Sequence, residues 1–222
     1  MIYHDWRDLP FREIWVIDFE YYPGRGKSNG GRDGDRITPL CLVAHEMRSR
    51  RTVRLWQDEL GRFPPYRLDA DALIIGYMIS AEFGAHLALN WGEPARALDR
   101  YIEFRHYVND GAAKAEDRGE GFFSLAGALR YFCEDELDVT HKQDMRDRII
   151  DGPPFTAQER RDILDYCEDD VHALARLVVH IIPTIRSLPH ALFRGKYQWT
   201  MACQERRGVP VDRPMLSRIT NR

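Results

Sequence analysis

An apolar run that ends in two carboxylates sets the first constraint on this chain. Ile14-Trp15-Val16-Ile17 leads straight into Asp18-Phe19-Glu20. The run is rich in β-branched and aromatic residues, which suit a buried, pleated strand. Side chains alternate faces along a strand, so Asp18 and Glu20 point the same way. Carboxylates held side by side repel each other and raise each other's pKa. A cation between them removes that cost, and hard oxygen donors on a rigid element suit Mg²⁺ or Mn²⁺. The pair therefore predicts a divalent-metal site acting on phosphate. Asp-x-Glu also occurs on ordinary solvated turns, so the case turns on whether further carboxylates join it.

The chain has 222 residues, 44% of them hydrophobic, enough for one large domain or a domain with an appendage. A formal charge of −3 argues against a broad, nonspecific nucleic-acid coat. It leaves open an enzyme that grips a few nucleotides. Cys41, Cys133, Cys167 and Cys203 are widely spaced, so a zinc ribbon or disulfide framework is not expected. Free thiols in a reducing cytoplasm are. The first residues, MIYHDWRDLPFREIW, have no long apolar core and do not read as a signal peptide. No apolar run of membrane-spanning length is present.

Strands early and helices late, with mixed alternation between, predict α/β architecture. Residues 14–57 read as an antiparallel meander of three strands, 14–20, 40–44 and 52–56. A glycine- and charge-rich loop, 21–36, separates the first two. Residues 72–76 form a further short strand and 80–90 a helix. Between Arg96 and Tyr107 the strand-to-helix boundary stays open. Ser124 caps a helix to Phe132, and Asp144–Ile150 reads as helical. Thr156 and Glu159 form a capping signal for a long helix that Pro183 stops near Ile182. From Ser187 the texture changes, as at the start of another element.

The long helix carries Tyr166-Cys167-Glu168-Asp169-Asp170. Tyr166 and Asp170 are four apart and share one face. Cys167, Val171 and Leu174 anchor the helix, while Glu168 and Asp169 read as a solvated acidic turn. Tyr131 and Asp135 repeat the Tyr-x-x-x-Asp spacing with weaker flanking support. Glu82 follows the strand Ala72–Gly76 and opens a helix, where an acid also suits the helix dipole.

In this order, Asp18, Glu20, Glu82, Tyr166 and Asp170 resemble the motifs of the DEDD exonucleases, in the tyrosine-bearing subclass. Gly76 stands six residues before Glu82, as a glycine does before the second-motif acid of that family. The stretches GGRDGDRITPLCLVAHE, SAEFGAHLALNWGEP, LDRYIEFR, ILDYCEDDVHALARL and ALFRGKYQWTMACQERRGVPVD are most similar to the proofreading exonuclease domain of family A DNA polymerases, from about residue 14 to 216. The resemblance implies a ribonuclease H-like mixed sheet flanked by helices. It implies an exonuclease domain over 1–186 and a segment over 187–222 like the connection to a polymerase portion. It also implies two divalent ions, Mg²⁺ or Mn²⁺, held by Asp18, Glu20, Glu82 and Asp170, with Tyr166 orienting the attacking water. The reaction implied is hydrolysis from the 3′ end of single-stranded or frayed DNA, with RNA kept open. Phe19, Tyr22, Phe83, Arg25 and Lys27 are candidates to touch the nucleic acid, although strand alternation turns Phe19 away from the acids. Two departures stand out: Glu82 where the wider family has Asp, and Met78 where it often has Asn.

Two other readings compete. An exonuclease fold that binds DNA ends without cleaving is made concrete by the change at position 82. Gly24-Arg25-Gly26-Lys27-Ser28 ends like a P-loop, but Tyr21 stands where that motif needs glycine. The histidines are scattered without ligand spacing, and Asp165 occupies the position of the histidine in the other DEDD subclass.

Overall fold

In the computed structural model, which describes residues 2–23, 37–112, 119–133, 139–208 and 210–220, the hydrophobic strands assemble one mixed sheet. β1 (Glu13–Pro23), β2 (Ile37–Glu46) and β3 (Arg51–Trp56) make the expected antiparallel meander. β4 (Ala72–Gly76) and β5 (Ala97–Asp99) add in parallel on the other side of β1, giving the order β3-β2-β1-β4-β5. The first strand is longer at both ends than the apolar run suggested.

Helices cover both faces: α1 (Ser80–Ala88), α2 (Arg100–Tyr107), α3 (Leu125–Cys133), α4 (Val139–Asp151), α5 (Ala157–Ile181), α6 (Leu188–Arg207) and α7 (Arg213–Thr220). The alternation of β1 divides the core between them. Ile14 and Val16 pack with Ile163, Cys167 and Val171 of α5. Trp15, Ile17 and Phe19 pack on the opposite face with Phe83 and Ala85 of α1 and Ala202 of α6. Among the described residues, no helix is long and apolar enough to cross a membrane.

Local signals explain most element ends. The Thr156 hydroxyl accepts the Glu159 N–H at 3.2 Å, and Glu159 returns a bond to the Thr156 N–H at 2.6 Å. This is the capping box expected for α5. Ser124 Oγ accepts the Gly127 N–H at 3.1 Å ahead of α3. The open boundary after Arg96 is resolved by Asp99, the last residue of β5. Its carboxylate accepts the Ile102 N–H at 3.2 Å, capping α2, and the Ile79 N–H at 3.1 Å ahead of α1. Burial raises its pKa to about 6, against the pull of these N–H donors.

α6, which follows Ser187, is packed against this body, whereas α7 buries no residue. α6 crosses β5 so closely that a Cβ on Gly195 would stand 2.1 Å from the Ala97 carbonyl oxygen. Arg194 grips Glu103 of α2 with two bonds, 2.8 and 2.7 Å. Trp199 meets Phe83 edge-on at 5.4 Å.

A buried histidine gives the fold an acid limit. His86 Nε2 lies 2.6 Å from the Tyr66 hydroxyl and Nδ1 3.2 Å from the Gly92 carbonyl. A neutral ring satisfies both, donating from Nδ1 and accepting at Nε2. Burial holds its pKa down at about 4. Below the ordinary value near 6.5, the unfolded chain takes up a proton that the folded chain refuses. Stability attributable to this group is complete above pH ~6.5 and falls as pH drops toward 4, by about 3 kcal/mol in total. Because buried carboxylates shift stability the other way over this range, the His86 share is read as the difference between the parent and His86→Gln in urea unfolding, expected to change by about 2 kcal/mol between pH 7 and pH 5.

Candidate active site

Strand parity places Asp18 and Glu20 with Ile14 and Val16, on the face covered by α5. They lie opposite Val43 and Cys41 of β2. β4 pairs with β1 through Val16↔Ile75 and ends one residue later, so the far half of β1 outruns its parallel neighbour. The Phe19 N–H is bonded instead by the Glu82 carboxylate, at 2.9 Å. Gly76 makes room for this: a Cβ there would stand 2.8 Å from Ile79 Cγ1 and 3.2 Å from Glu82 Cγ. The glycine six residues before Glu82 thus has a steric reason.

On α5, the buried Cys167 lies against Asp18, its Sγ 3.4 Å from both the main-chain oxygen and Oδ2. This contact seats the helix on β1. Tyr166 and Asp170 flank it, a turn apart. The electrostatics show that the groups converge. Glu20 is pushed well above the usual carboxylate range, first by burial, then by the charges of Asp18, Cys41 and Asp170. Glu82, nearly fully buried, is pushed up by burial and then by Asp18 and Glu20, with the Phe19 N–H opposing. Burial and the charges of Asp170, Glu20 and Asp18 raise the Tyr166 phenol. Asp18 thus acts on Glu20, Glu82 and Tyr166, and Asp170 on Glu20 and Tyr166, across one neighbourhood between β1, α1 and α5.

Such a cluster of acids suits a cation. Ligand atoms of Asp18, Glu20 and Cys167 all lie within 4.8 Å of one another. Carboxylates that strain to keep protons are the donor set that a divalent ion relieves. Asp18 and Glu20 fit as its oxygen donors.

Several residues read differently in three dimensions. Phe19 is 3% exposed and Phe83 1%, packed among His86, Trp91 and Trp199. Their assignment as nucleic-acid contacts is corrected: the core leaves no ring face for a base. Tyr22 is half-buried, close enough to Gly152 that an added Cβ would touch its ring at 3.6 Å. Arg25 and Lys27, with the P-loop-like stretch, lie outside the described residues, as does Asp135. Glu168 is not a solvated acid: Arg54 bonds it at 2.7 Å and also bonds Asp165.

Sequence reasoning missed three neighbours of the site. Arg146 of α4 offsets the negative charge felt by Glu20 and Tyr166. Its helix carries no motif, so nothing local marks it. Tyr21 is raised to about 12 by burial and then by Glu82, Glu20 and Asp18. Its position beside Glu20 was the available signal. Cys167 was read as a helix anchor, without its contact to Asp18.

No family model and no curated protein matches the chain. Solved structures do. The catalytic core of RRP6 from Trypanosoma brucei superposes with a TM-score of 0.53 at 10% identity, over 84% of this chain and 45% of that one. RNase D from Trypanosoma brucei, in complex with RNA U12, gives 0.52 at 12% identity, over 92% and 71%. The chain shares the fold of these nucleases. A third structure, the apo form of a nuclease, gives 0.50 at 10% identity, over 87% and 84%. The ribonuclease H-like mixed sheet expected from the sequence is the one observed. The chain spans less than half the length of the RRP6 core.

Proposed function

We propose that this chain is a metal-dependent 3′–5′ exonuclease of the DEDD type, releasing nucleoside monophosphates from single-stranded or frayed DNA ends. The observation that carries the reading is geometric: the α5 turn that holds Tyr166 and Asp170 is seated on Asp18 through Cys167, at 3.4 Å, and Glu82 of α1 bonds the Phe19 N–H between Asp18 and Glu20 at 2.9 Å. The nuclease fold supports it. Two readings remain as arms of the test. RNA as substrate is favoured by the RNA-bound RNase D among the structural neighbours. Binding without cleavage is favoured by Glu82, whose carboxylate is engaged with Phe19.

Asp18, Glu20 and Asp170 would hold divalent cation, which when bound neutralises phosphodiester charge and lowers the pKa of water. By fixing the Phe19 N–H, Glu82 keeps the carboxylates on either side aimed into the pocket. Tyr166 keeps its proton at neutral pH, since burial and three acids raise its pKa. It therefore acts as a hydrogen-bond donor that orients water, and not as a base. Tyr166→Phe is expected to lower kcat by about 10²-fold with KM little changed, measured in single-turnover trimming.

The deciding experiment follows end-labelled DNA and RNA oligonucleotides with Mg²⁺ and then Mn²⁺. Stepwise shortening of DNA from a free 3′ end is expected, and none from a blocked 3′ end. Faster shortening of RNA reassigns the substrate. Retention of either nucleic acid without shortening selects the binding reading.

A further inference from the structure

We propose that the cavity between α2, the turn after α5 and the start of α6 binds a phosphate group, held by Arg186, Arg194, His106, His190 and the first turn of α6. The place is remote from the acids. Along α5 and the 3-10 turn that follows it, Asp170 and Thr184 are roughly 20 Å apart. Binding there does not rest on the exonuclease reading.

The cavity measures about 310 Å³, at the small end of ligand pockets, ~300–1,000 Å³, so it suits a compact ligand. Its charge is one-sided. Arg186, Arg194, His106 and His190 line it against one acid, Glu103. That acid is already matched. Arg194 bonds it through Nε at 2.8 Å and through Nη2 at 2.7 Å. Arg100 stands one turn earlier on α2, fully buried. Its Nε and Nη1 have no hydrogen-bond partner among the described residues. Burial pulls its pKa down to about 9, and Glu103 is the first charge to oppose that pull. One carboxylate thus answers two arginines, and positive charge is in excess. A second observation points to an anion. α6 starts here, and its N-cap Ser187, which lines the cavity, makes no side-chain cap bond. Serine in that position ordinarily accepts a first-turn N–H. Here those donors are left to another acceptor, at the positive end of a 20-residue helix. Guanidinium groups, a hydroxyl and an open helix start are the donor set that a phosphate takes. Solvated surface cations are ordinary, but Glu103, 4% exposed, and the unpartnered nitrogens of Arg100 are not solvated.

The test is calorimetric titration of inorganic phosphate, and then of adenosine 5′-monophosphate, into the whole chain. A chelator is present so that no metal draws phosphate to the acids. Saturable binding at one site is expected. A hydrogen bond to a charged group is worth ~10–100-fold in affinity, so Arg186→Gln should weaken binding by about that much. Ser187→Asp brings a carboxylate of its own to the same helix start. Aspartate caps helices as well as serine does, so this variant should keep its Tm and bind no phosphate. Lys196→Gln lies on the same helix, but Lys196 pairs with Glu93 and does not line the cavity, so this variant should bind like the parent. Absence of saturable binding, undiminished binding by Ser187→Asp, or equal weakening by Lys196→Gln overturns the proposal. If Arg186→Gln fails to fold, Ser187→Asp decides. Competition by oligonucleotides with and without a 5′-terminal phosphate separates the sources of the group. Displacement by the phosphorylated strand alone supports the site and assigns it to a nucleic-acid end. Displacement by neither strand, with the mononucleotide bound, supports it as a site for free nucleotide. Trimming without phosphate binding removes this proposal alone. Phosphate binding without trimming removes only the exonuclease reading.

Discussion

Asp18→Ala is expected to reduce metal-dependent trimming by about 10³-fold or more, with the sheet still folded, because losing one preorganised charge-stabilising group alone costs ~10²–10³. Asp18 is the group most entangled with the others: its charge raises Glu20, Glu82 and Tyr166, and its oxygens meet Cys167. Neutralising the same residue as Asp18→Asn has a second signature that catalysis cannot mimic. Glu20 and Glu82 have folded pKa values above their ordinary ones. Groups shifted in that direction favour the fold at low pH and oppose it as pH rises from about 4.5. Removing the Asp18 charge relieves both, so metal-free Asp18→Asn should lose less stability than the parent between pH 5 and pH 8. A divalent ion should reverse the order. Ligand at 100 times its Kd stabilises by about 2.7 kcal/mol, and the parent should gain this while the variant does not. Thermal melts with and without Mn²⁺ measure both effects. Undiminished trimming by Asp18→Ala would remove the site assignment.

Gly195→Ala is expected to be among the most damaging single-methyl additions in the chain. Its Cβ would stand 2.1 Å from the Ala97 carbonyl oxygen and 2.6 Å from its carbon, both main-chain atoms that cannot rotate away. Overpacking typically costs 1–3 kcal/mol, and a rigid backbone obstacle puts this case at about 3 kcal/mol or more. For a chain of this size that lowers Tm by roughly 6–12 °C. Gly61, with nothing within 4 Å of an added Cβ, is the control, expected to change by less than about 0.5 kcal/mol. The effect should reach the site. α6 also carries Trp199 against Phe83, on the helix that presents Glu82. Lifting α6 should therefore lower trimming as well as Tm. Melting both variants and assaying them below their transitions tests the coupling; a Gly195→Ala chain as stable as the parent would contradict the packing.

Local chemistry alone was enough for much of this protein. The alternation of β1 told that Asp18 and Glu20 share a face and that Phe19 does not. Thr156 and Glu159 announced α5, Ser124 announced α3, and the five apolar residues of β4 were legible to the residue. The order of such elements implied α/β architecture, and the family resemblance implied the mixed sheet. What remained hidden depends on atoms distant in the chain. Asp99 ends β5 and caps α2 while holding the turn before α1, which no periodicity over three residues can reveal. The stretch after Ser187 reads only as the start of another element, and only Gly195 against Ala97 shows where α6 lies. Phe83 looked available to a base until His86 and Trp199 of α6 enclosed it. Arg146 and Cys167 joined the acids because helices crossed β1 at particular points. Side-chain periodicity and capping are set by bonds within a few residues, so the sequence determined them. Which faces meet is set by packing across the whole fold, so the tertiary structure alone decided the contents of the pocket.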